Sequence, residues 1–232
     1  MRSIERQSLD KRTFYSQPEI SDAYDQQRFG GASGARVNAR EIEIVLSMLP
    51  GTGQVLDLAC GTGRLSRAIQ ARGQRVVGID YSRPMVEKSV ASGISSAVGD
   101  AFATPFCDET FNAIVSLRFA FHWADLAALL GEMRRLVTPG GALVFDTYTW
   151  SPRSLLALRR RRWGERVFLH DRQEVRRMAA GLDLRVVQSV PCFLFSPYLY
   201  RLAPLRVEQA FESMERHVPS SWLCRVFWKL ST

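Results

Sequence analysis

The segment Val55-Leu-Asp-Leu-Ala-Cys-Gly-Thr-Gly63 constrains the fold more than any other: a short apolar strand runs directly into a glycine turn, and Arg64 opens a helix. Gly61 and Gly63 permit backbone angles that other residues avoid and let the main chain approach a ligand. The helix that follows presents unpaired N–H groups and the positive end of its dipole. A second apolar run, Arg75-Val-Val-Gly-Ile-Asp80, ends in a carboxylate 17 residues beyond Gly63. At that separation a β-α-β unit carries an acid to the diol of a bound ribose. Together the two features predict a site for a nucleotide-like cofactor.

The same alternation continues along the chain. After strand 55–59 come a helix over 64–72 closed by Gly73, strand 75–80, and a helix from Ser82-Arg-Pro84 to Ser92. Strand 95–100 ends in Gly99-Asp100. Strand 111–117 precedes a helix over 124–137, closed by Pro139-Gly140-Gly141, and then strand 142–146. Strands alternating with helices imply right-handed crossovers, so the expected fold is α/β: a doubly wound, Rossmann-like, mostly parallel sheet with helices on both faces and an antiparallel edge strand. Ligands in such sheets bind beyond the carboxyl ends of the strands. Asp57, Gly61, Asp80, Asp100 and Ser116 all fall at those ends and should converge on one crevice.

Outside this core the reading is coarser. Residues 1–35 are polar, and the Gly30-Gly31-Ala-Ser-Gly34 stretch reads as part of a mobile entry segment; Val37 to Leu49 then forms a half-buried helix stopped by Pro50-Gly51. Past Asp146 we expect an arginine-rich helix near 153–162, a helix capped by Asp171-x-x-Glu174 and closed by Gly181, strand 183–190, and an edge strand over Pro191–Tyr200. In the tail, Val207, Phe211, Met214 and Val218, then Trp222, Leu223, Val226, Phe227 and Leu230, fall at helical spacing, with Arg225 and Lys229 among the second group. Such a stripe packs on its own domain or a second copy, or lies on an anionic bilayer. At 232 residues the chain is read as one domain, 1–232: a lid and helix over 1–50, a cofactor-binding core over 51–150, and a substrate side with the last strands and basic tail over 151–232.

Cys60, Cys107, Cys192 and Cys224 are scattered, without a C-x-x-C pair or a His/Cys cluster, so neither a disulfide framework nor a metal site is expected. The charged first twelve residues and the lack of a long apolar run argue for a cytoplasmic protein, with peripheral membrane association left open. The net charge of +8 is uneven: residues 1–150 hold 16 basic and 16 acidic side chains, residues 151–232 hold 15 and 7. The excess centres on Arg159-Arg160-Arg161-Arg162, a solvated face or a site for an anionic partner such as nucleic acid.

Four segments in order, Val55 to Gly63, Gly78-Ile-Asp80-Tyr-Ser82, Gly99-Asp100-Ala-Phe-Ala-Thr-Pro105-Phe106 and Met133 to Gly141, resemble those of the class I S-adenosylmethionine-dependent methyltransferases. The likeness is to the branch acting on small molecules, quinones and lipids, and it covers residues 14–150 well and the remainder loosely. It implies a seven-stranded sheet and S-adenosylmethionine as cofactor. By this resemblance Asp57, Ala59, Gly61 and Gly63 wall the methionine part, with Asp57 available to its amino group. Asp80 holds the ribose, Tyr81 flanks the adenine, Asp100 accepts its amine, and Ala101 and Phe102 offer a backbone N–H and an apolar wall. Ser116 and Leu117 border the methyl group. Tyr24-Asp25-x-x-Arg28-Phe29 resembles the family's lid, with Arg28 pairing with the cofactor carboxylate.

Methyl transfer needs a base only where the acceptor is protonated, and His122 is the favoured candidate, ahead of Tyr148, Asp146 and His170. The acceptor is expected to be a small-molecule, quinone-like or lipid-like compound methylated at O, N or C, because Trp150, Trp163 and Phe168 suggest a roomy apolar site. The fourth strand ends Ser116-Leu-Arg-Phe, without the Pro-Pro motif of adenine methyltransferases acting on DNA. RNA as acceptor, a non-catalytic scaffold and homodimerisation stay open. A nicotinamide dehydrogenase is disfavoured, because Arg67 stands where its third glycine would pack.

Overall fold

A computed structural model describes residues 13, 15–150, 167–195, 197–202 and 204–232. The expected helix near 153–162, the run Arg159–Arg162 and Trp163 lie outside these residues. Two helices lead in, α1 (Pro18–Phe29) and α2 (Gly31–Met48). The core alternates β1 (Gln54–Leu58), α3 (Arg64–Gln70), β2 (Arg75–Asp80), α4 (Arg83–Ala91), β3 (Ser95–Val98), β4 (Phe111–Ser116), α5 (Ala127–Leu136) and β5 (Val137–Tyr148). Then come α6 (Arg172–Gly181), β6 (Arg185–Cys192), α7 (Pro197–Leu202), α8 (Leu205–Glu215) and β7 (Arg225–Ser231).

These strands form one seven-stranded sheet in the order β3-β2-β1-β4-β5-β7-β6. The first five positions are parallel; β7 pairs antiparallel with β5 and with the outermost strand, β6. Chain order reverses between β1 and β4, which pair directly with Leu56 opposite Ile114. A crevice must open there, because the connections leave in opposite directions. Strand alternation sends Val55, Ala113 and Val115 to one face, under α2 and α3, and Leu56, Leu58 and Ile114 to the other, under α5 and α6. The sheet is therefore covered on both faces, as the uninterrupted apolar strands require.

Three expectations are corrected. The Gly30–Gly34 stretch is not an open entry segment; Gly31 starts α2, and a Cβ on Gly34 would stand 2.7 Å from the carbonyl carbon of Phe29. Glycine there lets α1 and α2 meet closely, so what reads as a loop composition is a packing requirement. Pro191–Tyr200 is not an edge strand: β6 ends at Cys192, and Pro197 begins α7. The second half of the tail stripe is not a helix but β7, buried along most of its length. A continuous apolar run suits a helix or a doubly covered strand equally, and only the neighbours decide. α8 is helical as expected.

Candidate active site

One cavity, about 850 Å3 including the open solvent of its mouth, opens at the carboxyl ends of β1, β2 and β4. Its floor begins with the glycine turn. Gly61 and Gly63 adopt φ of +55° and +76°, and a Cβ on Gly63 would meet Ser89 Oγ at 2.5 Å, so a side chain is excluded by conformation and by space. Beside the turn, Asp80 ends β2. One carboxylate oxygen accepts the Gly61 N–H and the other the Ser82 N–H, each at 2.8 Å. Each oxygen still has a lone pair for a hydroxyl, which is what a ribose diol asks of it. Burial raises the Asp80 pKa, against hydrogen bonds from the backbone of Ser82, Gly61 and Tyr81.

The next wall comes from the loop after β3. Asp100 Oδ1 accepts the Phe102 N–H at 3.0 Å, so that N–H is turned to its own loop rather than to a ligand. The loop is tied to α5 by Glu132, which accepts from both the N–H and the hydroxyl of Thr104 at 2.8 and 2.7 Å. Phe102 stacks edge-on to Trp123, ring centres 4.7 Å apart, beside Phe119. These rings line the cavity together with Tyr81, Met85 and Asp100.

The third wall follows β4: Leu117, Arg118, Phe119, His122 and Trp123. Arg118 has φ of +62°, rare for a side chain of this size, and its N–H donates to Asp146 at 2.6 Å. Its guanidinium clamps Glu41 of α2 through Nε at 2.8 Å and Nη2 at 2.5 Å. Glu41 also receives Arg225 of β7 and Arg64 of α3, and Arg225 Nε donates to Asp146 at 2.7 Å. Three guanidiniums thus share two carboxylates, Glu41 fully buried and Arg118 only 11% exposed at the side chain. Burial alone would raise the Glu41 pKa; the charges of Arg118 and Arg225, hydrogen bonds from Arg118 and the charge of Arg64 overcome it and pull the value down to about 2.

The roof is α1 and the residues before it. Tyr15 and Tyr24 line the cavity, and the Tyr15 ring lies 6.0 Å from that of His122. Asp25 accepts the Thr62 hydroxyl at 3.0 Å, Ser82 Oγ donates to the Tyr15 carbonyl at 2.7 Å, and Lys88 reaches Asp22 at 2.8 Å. The roof is therefore held to the glycine turn and to α4.

Of the residues expected from sequence, Ala59, Gly61, Asp80, Tyr81, Asp100, Ala101, Phe102, Leu117, His122 and the lid's Tyr24 meet on this cavity. Asp57, Gly63, Ser116 and Arg28 do not reach its wall. Asp57 shares a face with Val55, is buried, and accepts from Ser66 Oγ at 2.5 Å; burial lifts its pKa to about 6, against that hydrogen bond and the charge of Arg64. Gly63 caps α3. Ser116 points away from Leu117 by strand alternation, and its buried hydroxyl has no hydrogen-bond partner among the described residues. The Arg28 guanidinium lies 5.7 Å from the Tyr24 ring centre. Among the four base candidates only His122 lines the cavity. Asp146 is held by Arg118 and Arg225, Tyr148 is buried with its pKa pushed up to about 12, and His170 sits behind the wall.

Sequence reasoning missed the Glu41 network. Its signal was there: Val37, Glu41, Val45 and Met48 form the buried stripe of α2, and a lone acid on such a stripe demands buried partners. Arg225, read from sequence as a basic group on the tail's stripe, is instead fully buried in the sheet.

Comparison with known proteins agrees with this arrangement. Residues 56–145 match the family described as "Methyltransferase domain". A demethylmenaquinone methyltransferase of Thermus thermophilus is 34% identical over 158 residues, covering 64% of this chain and 71% of that protein. A ubiquinone/menaquinone biosynthesis C-methyltransferase of Desulfotalea psychrophila is 39% identical over 131 residues, and the chain spans only 53% of its length. Among solved structures, a possible histamine N-methyltransferase of Thermotoga maritima superposes with a TM-score of 0.66 at 16% identity over 92% of this chain and 94% of that one. The geranyl diphosphate C-methyltransferase of Streptomyces coelicolor gives 0.63 at 19% over 85% and 81%. At such identities the structures speak for the fold alone.

Proposed function

The chain belongs to the class I S-adenosylmethionine-dependent methyltransferases, and on that premise we propose that it methylates a hydroxyarene of the reduced-quinone type at ring carbon or oxygen. The observation that carries this reading is that His122 and Arg118 line the same cavity as Asp80, Gly61, Tyr15 and Tyr24. The quinone methyltransferases among the relatives support the acceptor class.

In this reading Asp80 accepts from the ribose hydroxyls and Asp100 from the adenine amine, while Tyr81, Met85, Ala101 and Phe102 enclose the base. Ala59 and Gly61 border the methionine part; Asp57, bonded to Ser66 behind them, sets the turn. When bound, the cofactor supplies a methyl group on a positively charged sulfur, open to in-line attack. The roof excludes water. His122 takes the proton of the acceptor hydroxyl; the freed electron pair forms the new bond to the methyl carbon from oxygen, or through the ring from carbon, while the methyl–sulfur pair stays on sulfur. After attack from carbon the ring C–H proton is lost to restore the arene. The net positive charge of the Arg64, Arg118 and Arg225 network with its two carboxylates favours the ionised acceptor. Residues 1–232 act as one catalytic unit, 51–150 holding the cofactor. A lipid-like acceptor would draw the chain to an anionic membrane, an extension supported by exposed Val207, Met214 and Trp222 near Arg206 and Arg216; no helix among the described residues is long and apolar enough to cross one.

Thermal melting with S-adenosylmethionine, S-adenosylhomocysteine and NAD tests cofactor choice, since a ligand of the folded state raises the midpoint. A rise with NAD alone would refute the reading. Labelled cofactor supplied with a short-chain demethylmenaquinol should pass label to that acceptor; label confined to RNA in a cell extract would overturn the acceptor class. His122→Gln should lower turnover by about 100-fold while leaving cofactor affinity intact, and unchanged turnover at every pH would remove the base.

A further inference from the structure

Behind the wall, residues 168–170 form a strap across the turn that carries His122. The Phe168 N–H donates to the Phe121 carbonyl at 2.8 Å, and His170 Nε2 meets the Trp123 carbonyl at 3.0 Å. The carbonyls on both sides of His122 are thus held by one segment. That segment is anchored in turn to the sheet, because the His170 N–H donates to the Tyr148 carbonyl at 2.8 Å at the end of β5. The turn's own bonds, His122 N–H to Phe119 and Trp123 N–H to Ala120, form a short 3-10 helix over Ala120–His122. So brief a helix does not hold its orientation unaided. His170 is 1% exposed and does not line the cavity, so it touches neither acceptor nor cofactor.

A carbonyl only accepts, so Nε2 must carry the proton. In the neutral ring Nδ1 is then a bare acceptor, and it is buried with no hydrogen-bond partner among the described residues. Among nearby charges, Glu174 on α6 and Asp125 in the loop before α5 favour a charged ring, while burial, the larger influence, opposes it.

We propose that His170 is a positioning residue: by donating from Nε2 to the Trp123 carbonyl it fixes the turn so that the His122 imidazole and the Trp123 indole face the reacting space. This rests on the methyl-transfer reading above, in which His122 is the base. Leucine at 170 fills the space without donating, whereas the glutamine amide can reach where Nε2 stands.

The test uses the full chain with labelled S-adenosylmethionine and a short-chain demethylmenaquinol, together with NMR of the histidine rings. In the wild type, His170 should be the Nε2–H tautomer; a ring protonated at Nδ1 alone overturns the proposal. His170→Leu should lower kcat by about 100-fold with cofactor Kd unchanged, and should move the His122 titration. His170→Gln should restore most of kcat and return the His122 titration. Turnover of His170→Leu within about twofold of wild type, loss of cofactor binding in step with kcat, or failure of His170→Gln to rescue would each refute it. If the wild type transfers no methyl group at all, the functional reading fails, while the tautomer and the His122 titration still judge the strap.

Discussion

Replacing Glu41 by glutamine probes the buried charge network directly. The side chain keeps its shape but loses the charge that Arg118, Arg225 and Arg64 converge on, leaving Asp146 as the network's remaining carboxylate. Two routes give the size of the loss. The gap between an ordinary 4.5 and about 2, at about 1.36 kcal/mol per decade of proton affinity, corresponds to about 3 kcal/mol. Removing one partner of a buried ion pair costs about 3–5 kcal/mol, because the uncompensated charges stay buried. Glu41→Gln should therefore lose about 3–4 kcal/mol near neutral pH, a fall in Tm of roughly 10 °C for a chain of this size. The sign also fixes a pH dependence. A depressed carboxylate contributes its full stability above the ordinary value and loses it as pH falls toward about 2. Urea unfolding between neutral pH and about pH 3 should thus show wild type and variant converging as acid is added. A loss below about 1 kcal/mol at neutral pH, or a gap that does not narrow in acid, would show that Glu41 does not neutralise these arginines.

Two further outcomes follow from the cofactor side. Asp80→Ala should weaken S-adenosylhomocysteine binding by about 10- to 100-fold through loss of charge-assisted bonds to the diol; titration calorimetry checks this, and unchanged affinity would remove the ribose role. Asp57 is the reverse of Glu41, since burial lifts it from 3.8 to about 6, so ionisation is free of penalty below 3.8 and carries its full cost above about 6. Asp57→Asn should consequently gain about 1–3 kcal/mol near pH 8, a gain that vanishes below about pH 4, while loosening the turn and cofactor binding; denaturant melts at the two pH values decide it.

The chain's local order was legible from its residues because the signals are local. An apolar run between polar flanks, a glycine turn and an acid at matched spacing act within one β-α-β unit, and they located β1 to β4 and the Asp80 and Asp100 walls, as the capping Asp171 located the start of α6. What only the tertiary structure decided depends on partners far apart in the chain. Val226 to Leu230 satisfy a helix or a buried strand equally, and pairing with β5 and β6 settles the matter. Gly34 looks like a loop residue until the Phe29 backbone lies against it. Glu41, Arg64 and Arg225 come from three elements and Arg118 from the loop after β4, and a charge reveals its need for a partner only once burial removes the water that would have screened it. Strand alternation likewise sent Leu117 into the cavity and Ser116 away from it, a choice of face that residue type alone does not express.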